Sequence, residues 1–153
     1  MDDVQAAPAV ATGTRVLVID DSNTIRRSAE IFLRQGGHEV LLAEDGFDAL
    51  AKVNDHSPQL IFCDILMPRL DGYQTCAIIK RNPRFSHVPV IMLSSKDGLF
   101  DKARGRMVGS EDYLTKPFTK DQLLRAVEQF GVARAATAVA DVADAKAEPG
   151  LVP

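Results

Sequence analysis

The sequence predicts an α/β domain built on one doubly wound, five-stranded parallel sheet with helices on both faces. Five short apolar segments alternate along the chain with five segments whose apolar residues recur every three or four positions. Such alternation is typical of parallel strands joined by right-handed helical crossovers. Polar residues stand at the ends of the apolar segments, and ligands bind at the carboxyl ends of strands in such sheets. The fold therefore also predicts where a functional site should lie.

The composition of the 153-residue chain is that of one globular domain with a sizeable core. Hydrophobic residues make up 46% of the sequence and charged residues 25%, with a net charge of −3. A weakly acidic chain without a basic stripe is not expected to bind nucleic acid. The sequence shows neither an apolar run of membrane-spanning length nor a basic-then-apolar secretion signal. The two cysteines lack metal or redox spacing, so we predict a cytoplasmic protein with reduced thiols and no membrane insertion.

Each predicted strand is a short apolar run bounded by turn-forming residues. The runs occupy residues 15–19, 38–43, 60–68, 88–93 and 113–115. The third run carries a single carboxylate, Asp64, within otherwise apolar sequence. We interpret it as a strand buried on both faces that delivers Asp64 to its carboxyl end. A carboxylate in this setting is unfavourable unless it is paired or bound to a metal, although it could also cap the following turn.

Each predicted helix follows one strand and ends at a glycine or near a proline. The first begins within Asp20-Asp21-Ser22-Asn23, which offers several N-cap candidates. The fourth is predicted to begin at Gly98, and Thr119 is the predicted cap of the fifth. The residues that end the five helices are Gly36, Ser57, Asn82, Gly109 and Gly131.

The two ends of the chain lie outside this alternation. Residues 1–14 show no periodicity and are predicted to be a flexible lead. Residues 131–153 are rich in alanine, lack large apolar side chains and are predicted to be a flexible tail. The predicted domain is therefore residues 15–130. The tail is too short for a helix-turn-helix unit, so a DNA-binding regulator is disfavoured and output is expected through another protein.

Polar residues at four strand ends form one candidate site. They are Asp20, Asp21, Asp64, Ser94 and Lys116. Each pair of carboxylates about 4 Å apart would repel by roughly 4 kcal/mol at an effective dielectric constant of about 20. A hard divalent cation relieves this repulsion, and all-oxygen ligation by few protein groups suits Mg²⁺. The loop after the first strand has two acids and no glycine, so a phosphate would have to enter together with the metal ion.

These residue types can carry phosphoryl transfer to a carboxylate. A carboxylate beside the metal ion can attack phosphorus, Lys116 can pair with the resulting oxygens, and the Ser94 hydroxyl can donate to one of them. A cis bond between Lys116 and Pro117 would aim the lysine over the sheet edge. Structural roles remain open, namely capping of the first helix by Asp20 or Asp21, an N-cap at Ser94 and a solvated strand-end position for Lys116.

Four motifs together resemble those of response regulator receiver domains over about residues 15 to 130. They are Val-Ile-Asp20-Asp21-Ser, Cys-Asp64-Ile-Leu-Met-Pro68 with Asp71-Gly72, Val-Ile-Met-Leu-Ser94-Ser and Tyr113-Leu-Thr-Lys116-Pro117-Phe. The resemblance implies a CheY-like, flavodoxin-like fold with strand order 2-1-3-4-5. It also implies that Asp64 is the phosphoacceptor. The Mg²⁺ ligands that it implies are Asp21, Asp64 and the Leu66 backbone carbonyl, with Asp20 acting through water, and the implied switch residues are Ser94, Tyr113 and Lys116.

Residues 67–76 and 95–103 resemble, more narrowly, the PilG-type regulators of type IV pilus twitching motility. The resemblance implies a stand-alone regulator that accepts a phosphoryl group from a histidine kinase or its phosphotransfer domain. A downstream protein would bind the face formed by helix four, strand five and helix five. The protein would be a monomer or a weak, phosphorylation-dependent dimer. Its chemistry would be limited to self-phosphorylation and autodephosphorylation, so it would not be an enzyme.

Two further residues are predicted to tune the lifetime of the phosphoryl group. Leu66 and Lys96 stand two positions beyond Asp64 and Ser94, where they should overhang the approach of hydrolytic water. Leu66 cannot orient that water by hydrogen bonding, whereas Lys96 could pair with the phosphoryl oxygens.

Two alternative functions remain open at this point. The first is a receiver that drains phosphate from a shared kinase without direct output. The second is a phosphatase of the haloacid dehalogenase kind, which also uses an aspartate nucleophile with Mg²⁺. In that enzyme class the nucleophile follows the first strand and a second aspartate comes two positions later. Here the acids after the first strand are adjacent, and the single buried aspartate is on strand three.

Overall fold

The computed structural model of the chain describes residues 13–95 and 100–132. The strands are β1 (Arg15–Ile19), β2 (Glu39–Ala43), β3 (Leu60–Asp64), β4 (Val90–Ser95) and β5 (Asp112–Lys116). They form a single parallel sheet in the order β2-β1-β3-β4-β5. The predicted doubly wound fold and its 2-1-3-4-5 strand order are confirmed. Most of the predicted lead and tail lies outside the described residues.

The helices of the described residues cover both faces of this sheet. They are α1 (Asn23–Gln35), α2 (Gly46–His56), α3 (Gly72–Arg81), α4 (Lys102–Val108) and α5 (Lys120–Val127), which a π-helical turn (Glu128–Val132) continues. Each helix begins after a polar residue whose side chain accepts a hydrogen bond from the first turn. These caps are Ser22, Asp45, Asp71, Asp101 and Thr119. In this part of the chain, no helix has the length and apolar character needed to cross a membrane.

The sheet divides the core into two apolar clusters. Alternate residues of β1 point to opposite faces, as the strand geometry requires. Leu17 and Ile19 lie in the cluster covered by α2 and α3, whereas Val16 and Val18 lie in the cluster covered by α1 and α5. The central strand β3 alternates in the same way, and all of its residues are buried. Burial on both faces explains why its sequence is apolar throughout, apart from Asp64.

β4 starts and ends later than the sequence predicts. Val88 closes a turn by donating its N–H to the Phe85 carbonyl at 3.0 Å, and Pro89 has no N–H to offer a neighbouring strand. The strand therefore begins at Val90 instead of residue 88 and continues to residue 95. As a result, Ser94 lies inside the strand rather than after it.

The last two helices also differ from their predicted limits. The Asp101 side chain accepts a hydrogen bond from the Arg104 N–H at 3.0 Å, and this cap sets the start of α4 at Lys102 instead of residue 98. Gly131 does not end the fifth helix, because the π-helical turn runs on to Val132. The start of α4 matters for function, since it brings Phe100 and Asp101 into the connection that precedes the helix.

Candidate functional site

The candidate site lies at the carboxyl edge of the sheet. Asp20 directly follows β1, Asp64 is the last residue of β3, and Lys116 is the last residue of β5. Asp21 follows Asp20 on the loop that leads to α1. One carboxylate oxygen from each of the three aspartates lies within 4.8 Å of those from the other two. The structure thus brings together four of the residues singled out in the sequence.

Lys116 spans the two buried carboxylates. Its Nζ donates to Asp64 Oδ1 at 2.9 Å and to Asp20 Oδ2 at 3.0 Å. Asp20 is fully buried and Asp64 is 3% exposed, so both ion pairs are shielded from solvent. The Lys116–Pro117 peptide bond is cis. Lys116 is therefore an ion-paired member of the site and not a solvated strand end.

Burial and neighbouring charges shift the pKa of both partners in the Asp64–Lys116 pair. The pKa of Asp64 is raised from 3.8 to about 6, by burial first and by the Asp20 charge second, and Lys116 opposes this rise. Burial alone would lower the pKa of Lys116, but its hydrogen bonds to Asp64 and Asp20 outweigh burial and raise it. The lysine therefore stays protonated, whereas the ionised form of Asp64 is disfavoured until more positive charge enters the site.

In metal-free protein, the Asp64 contribution to the free energy of unfolding should fall as the pH rises through about 6. The pKa of Asp64 is raised from 3.8 to about 6 in the folded state, so the native protein binds more protons than the unfolded chain between those values. The contribution is complete below pH 3.8 and is lost above about 6, and the part lost between pH 5 and pH 7 is about 1 kcal/mol. Urea unfolding with a chelator at these two pH values measures it.

The Asp64→Asn variant is the control for this prediction, because it removes the titration while keeping the shape of the side chain. The difference in the free energy of unfolding between wild type and variant should change by about 1 kcal/mol from pH 5 to pH 7. A difference that does not change with pH would show that burial does not raise the pKa of Asp64.

In the loop between β1 and α1, different residues cap the helix and form the acidic site. Ser22 caps α1, since its Oγ accepts a hydrogen bond from the Ile25 N–H at 3.3 Å. Asp20 Oδ1 accepts the Ser22 N–H at 2.9 Å, which orients that carboxylate. Asp21 is exposed. The capping role that the sequence left open for Asp20 and Asp21 therefore belongs to Ser22.

Ser94 and Tyr113 lie on the neighbouring strands β4 and β5. Ser94 is buried, and its Oγ donates to the Ser95 carbonyl at 3.3 Å. The alternative of an N-cap at Ser94 is wrong, because Asp101 caps α4. Tyr113 is half-buried, and its ring stacks on Phe100 with 4.4 Å between ring centroids. Ser94 lies on the strand that pairs with β3, and Tyr113 lies one strand further away; neither takes part in the ion pairs of Lys116.

The loop after β3 folds back onto the strand end. Gly72 N–H donates to the Ile65 carbonyl at 2.8 Å, and a Cβ at Gly72 would lie only 2.4 Å from the Asp64 carbonyl oxygen. Only glycine fits this close approach. Leu66 belongs to the same loop and is 69% exposed. Lys96, the second predicted lifetime residue, lies outside the described residues.

Two features of the structure were not predicted from the sequence. The Arg26 guanidinium donates to the Asp20 backbone carbonyl, although the helical pattern places Arg26 on the outer face of α1. A basic residue one turn after an acidic loop is the only signal for this contact. The second feature is a stack of Tyr73, Phe100 and Tyr113, for which the sequence carries no signal.

The donor set of the site fits a hard divalent cation. Three carboxylates against the single Lys116 leave an excess of negative charge at a largely buried point. Oxygen-only donors with one exposed member, Asp21, suit Mg²⁺, because this ion keeps several of its waters when it binds to protein. The residues present can therefore hold Mg²⁺.

Comparison with known proteins gives matches over the same region of the chain. The family model described as response regulator receiver domain matches residues 16–128. Protein PilG of Pseudomonas aeruginosa is 66% identical over 116 residues, which cover 76% of this chain and 86% of that protein. Protein PilH of the same organism is 37% identical over 113 residues, covering 74% of this chain and 93% of that protein. The structure of chemotaxis response regulator CheY4 of Vibrio cholerae matches with a TM-score of 0.73 and 31% identity, covering 78% of this chain and 99% of that chain.

Proposed function

The chain belongs to the response regulator receiver domain family, and on that premise we propose that Asp64 accepts a phosphoryl group in a two-component, chemotaxis-like phosphorelay. The donor would be a histidine kinase or its phosphotransfer domain. The observation that carries the proposal is the Lys116 ammonium group shared by Asp64 and Asp20. This arrangement combines a carboxylate nucleophile with a cation that can pair with the incoming phosphoryl oxygens.

The transfer converts Asp64 into an acyl phosphate. A carboxylate oxygen of Asp64 attacks phosphorus, the bond from phosphorus to the donor imidazole nitrogen breaks, and that nitrogen keeps the electron pair. Lys116 exchanges its carboxylate contact for the phosphoryl oxygens, and the Ser94 hydroxyl donates to one of them. Asp21, Asp64 and the Leu66 backbone carbonyl would hold Mg²⁺, with Asp20 acting through water, and the ion would supply positive charge that offsets the carboxylates and the phosphoryl oxygens.

A small phosphodonor distinguishes this function from that of a phosphatase. With Mg²⁺ present, intact-protein mass spectrometry should show the gain of a single phosphoryl group, which is then lost slowly by hydrolysis. A regulator of this kind is not an enzyme acting on other substrates. Continuous release of phosphate from monoesters would instead favour a haloacid dehalogenase-like phosphatase.

We further propose that the phosphorylated protein controls type IV pilus twitching motility through a downstream protein. The support is the similarity to PilG at 66% identity and to PilH at 37%. The alternative is a receiver that only drains phosphate from a shared kinase. A strain that carries only a non-phosphorylatable protein separates the two, because direct output predicts loss of twitching and a phosphate sink does not.

Replacement of Asp21 by alanine should weaken Mg²⁺ binding by at least about tenfold and slow phosphoryl labelling in proportion. Asp21 is exposed, so the substitution removes a metal ligand without opening the core. Calorimetric titration with Mg²⁺ measures the affinity. Asp55→Ala, at an exposed position of α2, is the matched control. Equal Mg²⁺ affinities in the two variants would exclude Asp21 from the metal site.

The Leu66→Asn substitution should shorten the phosphoryl lifetime severalfold. Leu66 is 69% exposed two residues beyond Asp64, so an amide there can hydrogen-bond and orient the attacking water at little expense to the core. The decay of labelled protein, followed by mass spectrometry after removal of the phosphodonor, measures the lifetime. Met107→Asn, at an apolar side chain that is 86% exposed on α4, is the control. An unchanged or longer lifetime for Leu66→Asn would contradict the prediction.

A further inference from the structure

Three aromatic rings from separate parts of the chain form one stack between α3 and β5. The Phe100 ring lies between Tyr113 and Tyr73, at 4.4 and 6.2 Å between ring centroids and with interplanar angles of 19° and 22°. Tyr73 is buried and Tyr113 is half-buried. Rings in close contact cannot move independently in a packed interior. A change in the position of Tyr113 must therefore reach Phe100.

The same stack holds the beginning of α4. Tyr73 Oη accepts a hydrogen bond from the Asp101 N–H at 2.9 Å, and Asp101 is the N-cap of α4. The Arg104 guanidinium covers the Tyr73 ring at 4.3 Å from its centroid. Phe100 directly precedes Asp101, and a Cβ at Gly105 of α4 would lie 2.6 Å from its ring. Displacement of the Phe100 ring therefore acts on α4 both through the chain and through direct contact.

Tyr73 itself is fixed to the loop that follows the phosphoacceptor. It comes directly after Gly72, whose N–H donates to the Ile65 carbonyl and at which a Cβ would lie only 2.4 Å from the Asp64 carbonyl oxygen. One end of the Tyr73–Asp101 hydrogen bond is thus anchored at the site, whereas the other end belongs to the connection before α4. Such a bond can act as a latch between the two.

We propose that Tyr73 Oη latches the N-terminus of α4 in the unphosphorylated protein and that Phe100 opens this latch when Tyr113 turns toward Ser94. The inference rests on the proposed function, because it takes phosphorylation of Asp64 as the input. The movement of Tyr113 then displaces the Phe100 ring, and Phe100 draws the Asp101 N–H away from Tyr73. Tyr73 and Phe100 are positioning residues, since neither touches the reacting atoms.

Amide hydrogen exchange of the full chain tests the latch. Beryllium fluoride with Mg²⁺ serves as the probe, because it adds to a carboxylate oxygen as a phosphoryl analogue. In wild type, exchange of the Asp101 amide should become about fivefold faster with the probe, the factor expected for loss of one ordinary hydrogen bond. In Tyr73→Phe, which keeps the ring and loses only the oxygen, exchange should already be fast and should not respond.

The Phe100→Leu substitution tests the transmission step. Its Asp101 amide should stay protected when the probe is added, because the ring that opens the latch is gone. Phe47→Leu, the same substitution at an exposed position of α2, should respond as wild type does. A response of Phe100→Leu equal to that of Phe47→Leu would overturn the role of Phe100.

Tyrosine emission separates failure of the latch from failure of the proposed function. The chain has two tyrosines and no tryptophan, so emission from the Tyr73→Phe variant reports Tyr113 alone. A change in that emission upon addition of the probe, with unchanged exchange of the wild-type Asp101 amide, would overturn the latch and leave the proposed function standing. No change in either signal would overturn the latch, whereas absence of phosphoryl labelling in intact-protein mass spectrometry would overturn the proposed function.

Discussion

Substitution of Asp64 by asparagine should abolish phosphoryl labelling of the chain by a small phosphodonor and Mg²⁺. The amide keeps the size of the side chain but is a far weaker nucleophile than the carboxylate. It also removes one of the three carboxylates that can hold the metal ion. Intact-protein mass spectrometry should show one added phosphoryl group in wild type and none in the variant.

Two controls make the loss of labelling specific to Asp64. Asp55→Asn changes an exposed aspartate of α2 and should label at the wild-type rate. The Asp64→Asn protein should remain folded in metal-free buffer at neutral pH, because it no longer holds a buried charge whose pKa is raised to about 6. Labelling of Asp64→Asn at the wild-type rate would place the phosphoacceptor at another residue.

The acidic site could be predicted because its members lie at or directly after the ends of strands in the sequence. Asp20, Asp64 and Lys116 follow or close apolar runs that are recognisable in the sequence. Once the runs are assigned to one parallel sheet, their carboxyl ends must share an edge, and the charges meet there. The prediction thus needed only the order of elements and not their packing.

The limits of β4 and α4 could not be predicted in the same way, because local interactions override the apolar pattern. The apolar pattern predicts Val88 to be a strand residue, but its N–H donates to the Phe85 carbonyl within a turn. The same pattern predicts a helix that begins at Gly98, although the N-cap residue of α4 is Asp101. Both errors come from hydrogen bonds, which apolar periodicity does not record.

The ring stack could not be predicted from the sequence for a different reason. Tyr73, Phe100 and Tyr113 come from α3, the connection before α4 and β5, and their meeting depends on how these three elements pack. Each residue taken alone predicts only a half-buried aromatic side chain. The site and the stack are joined through Gly72, whose close approach to Asp64 is likewise visible only in three dimensions.

The face formed by α4, β5 and α5 is the proposed binding surface for a downstream protein. α4 presents exposed side chains, among them Lys102 and Met107, which is 86% exposed. Tyr113 connects this face to the interior. Its ring stacks on Phe100, and Lys102 Nζ lies over the same ring at 6.0 Å from the centroid. A change in the position of Tyr113 therefore alters the surface that a partner meets.

A phosphoryl mimic should strengthen binding of the downstream protein, and most of this effect should be lost in Tyr113→Ala. If the partner binds the switched face better, binding and phosphorylation favour each other reciprocally, with a coupling of about 1–3 kcal/mol or roughly 5- to 150-fold in affinity. Without the Tyr113 ring, the change at Asp64 and Ser94 has no side chain through which to reshape the face. Partner affinity with and without beryllium fluoride and Mg²⁺, for wild type and variant, measures the coupling.

A chain truncated after Val132 distinguishes this face from the alanine-rich segment that follows it. The truncation keeps α5 and its π-helical turn, so the response to the phosphoryl mimic should match that of the full chain. Tyr113→Phe, which keeps the ring that stacks on Phe100, should retain more of the response than Tyr113→Ala does. If the truncation abolishes binding while Tyr113→Ala responds normally, the output runs through residues 133–153 and not through the face around Tyr113.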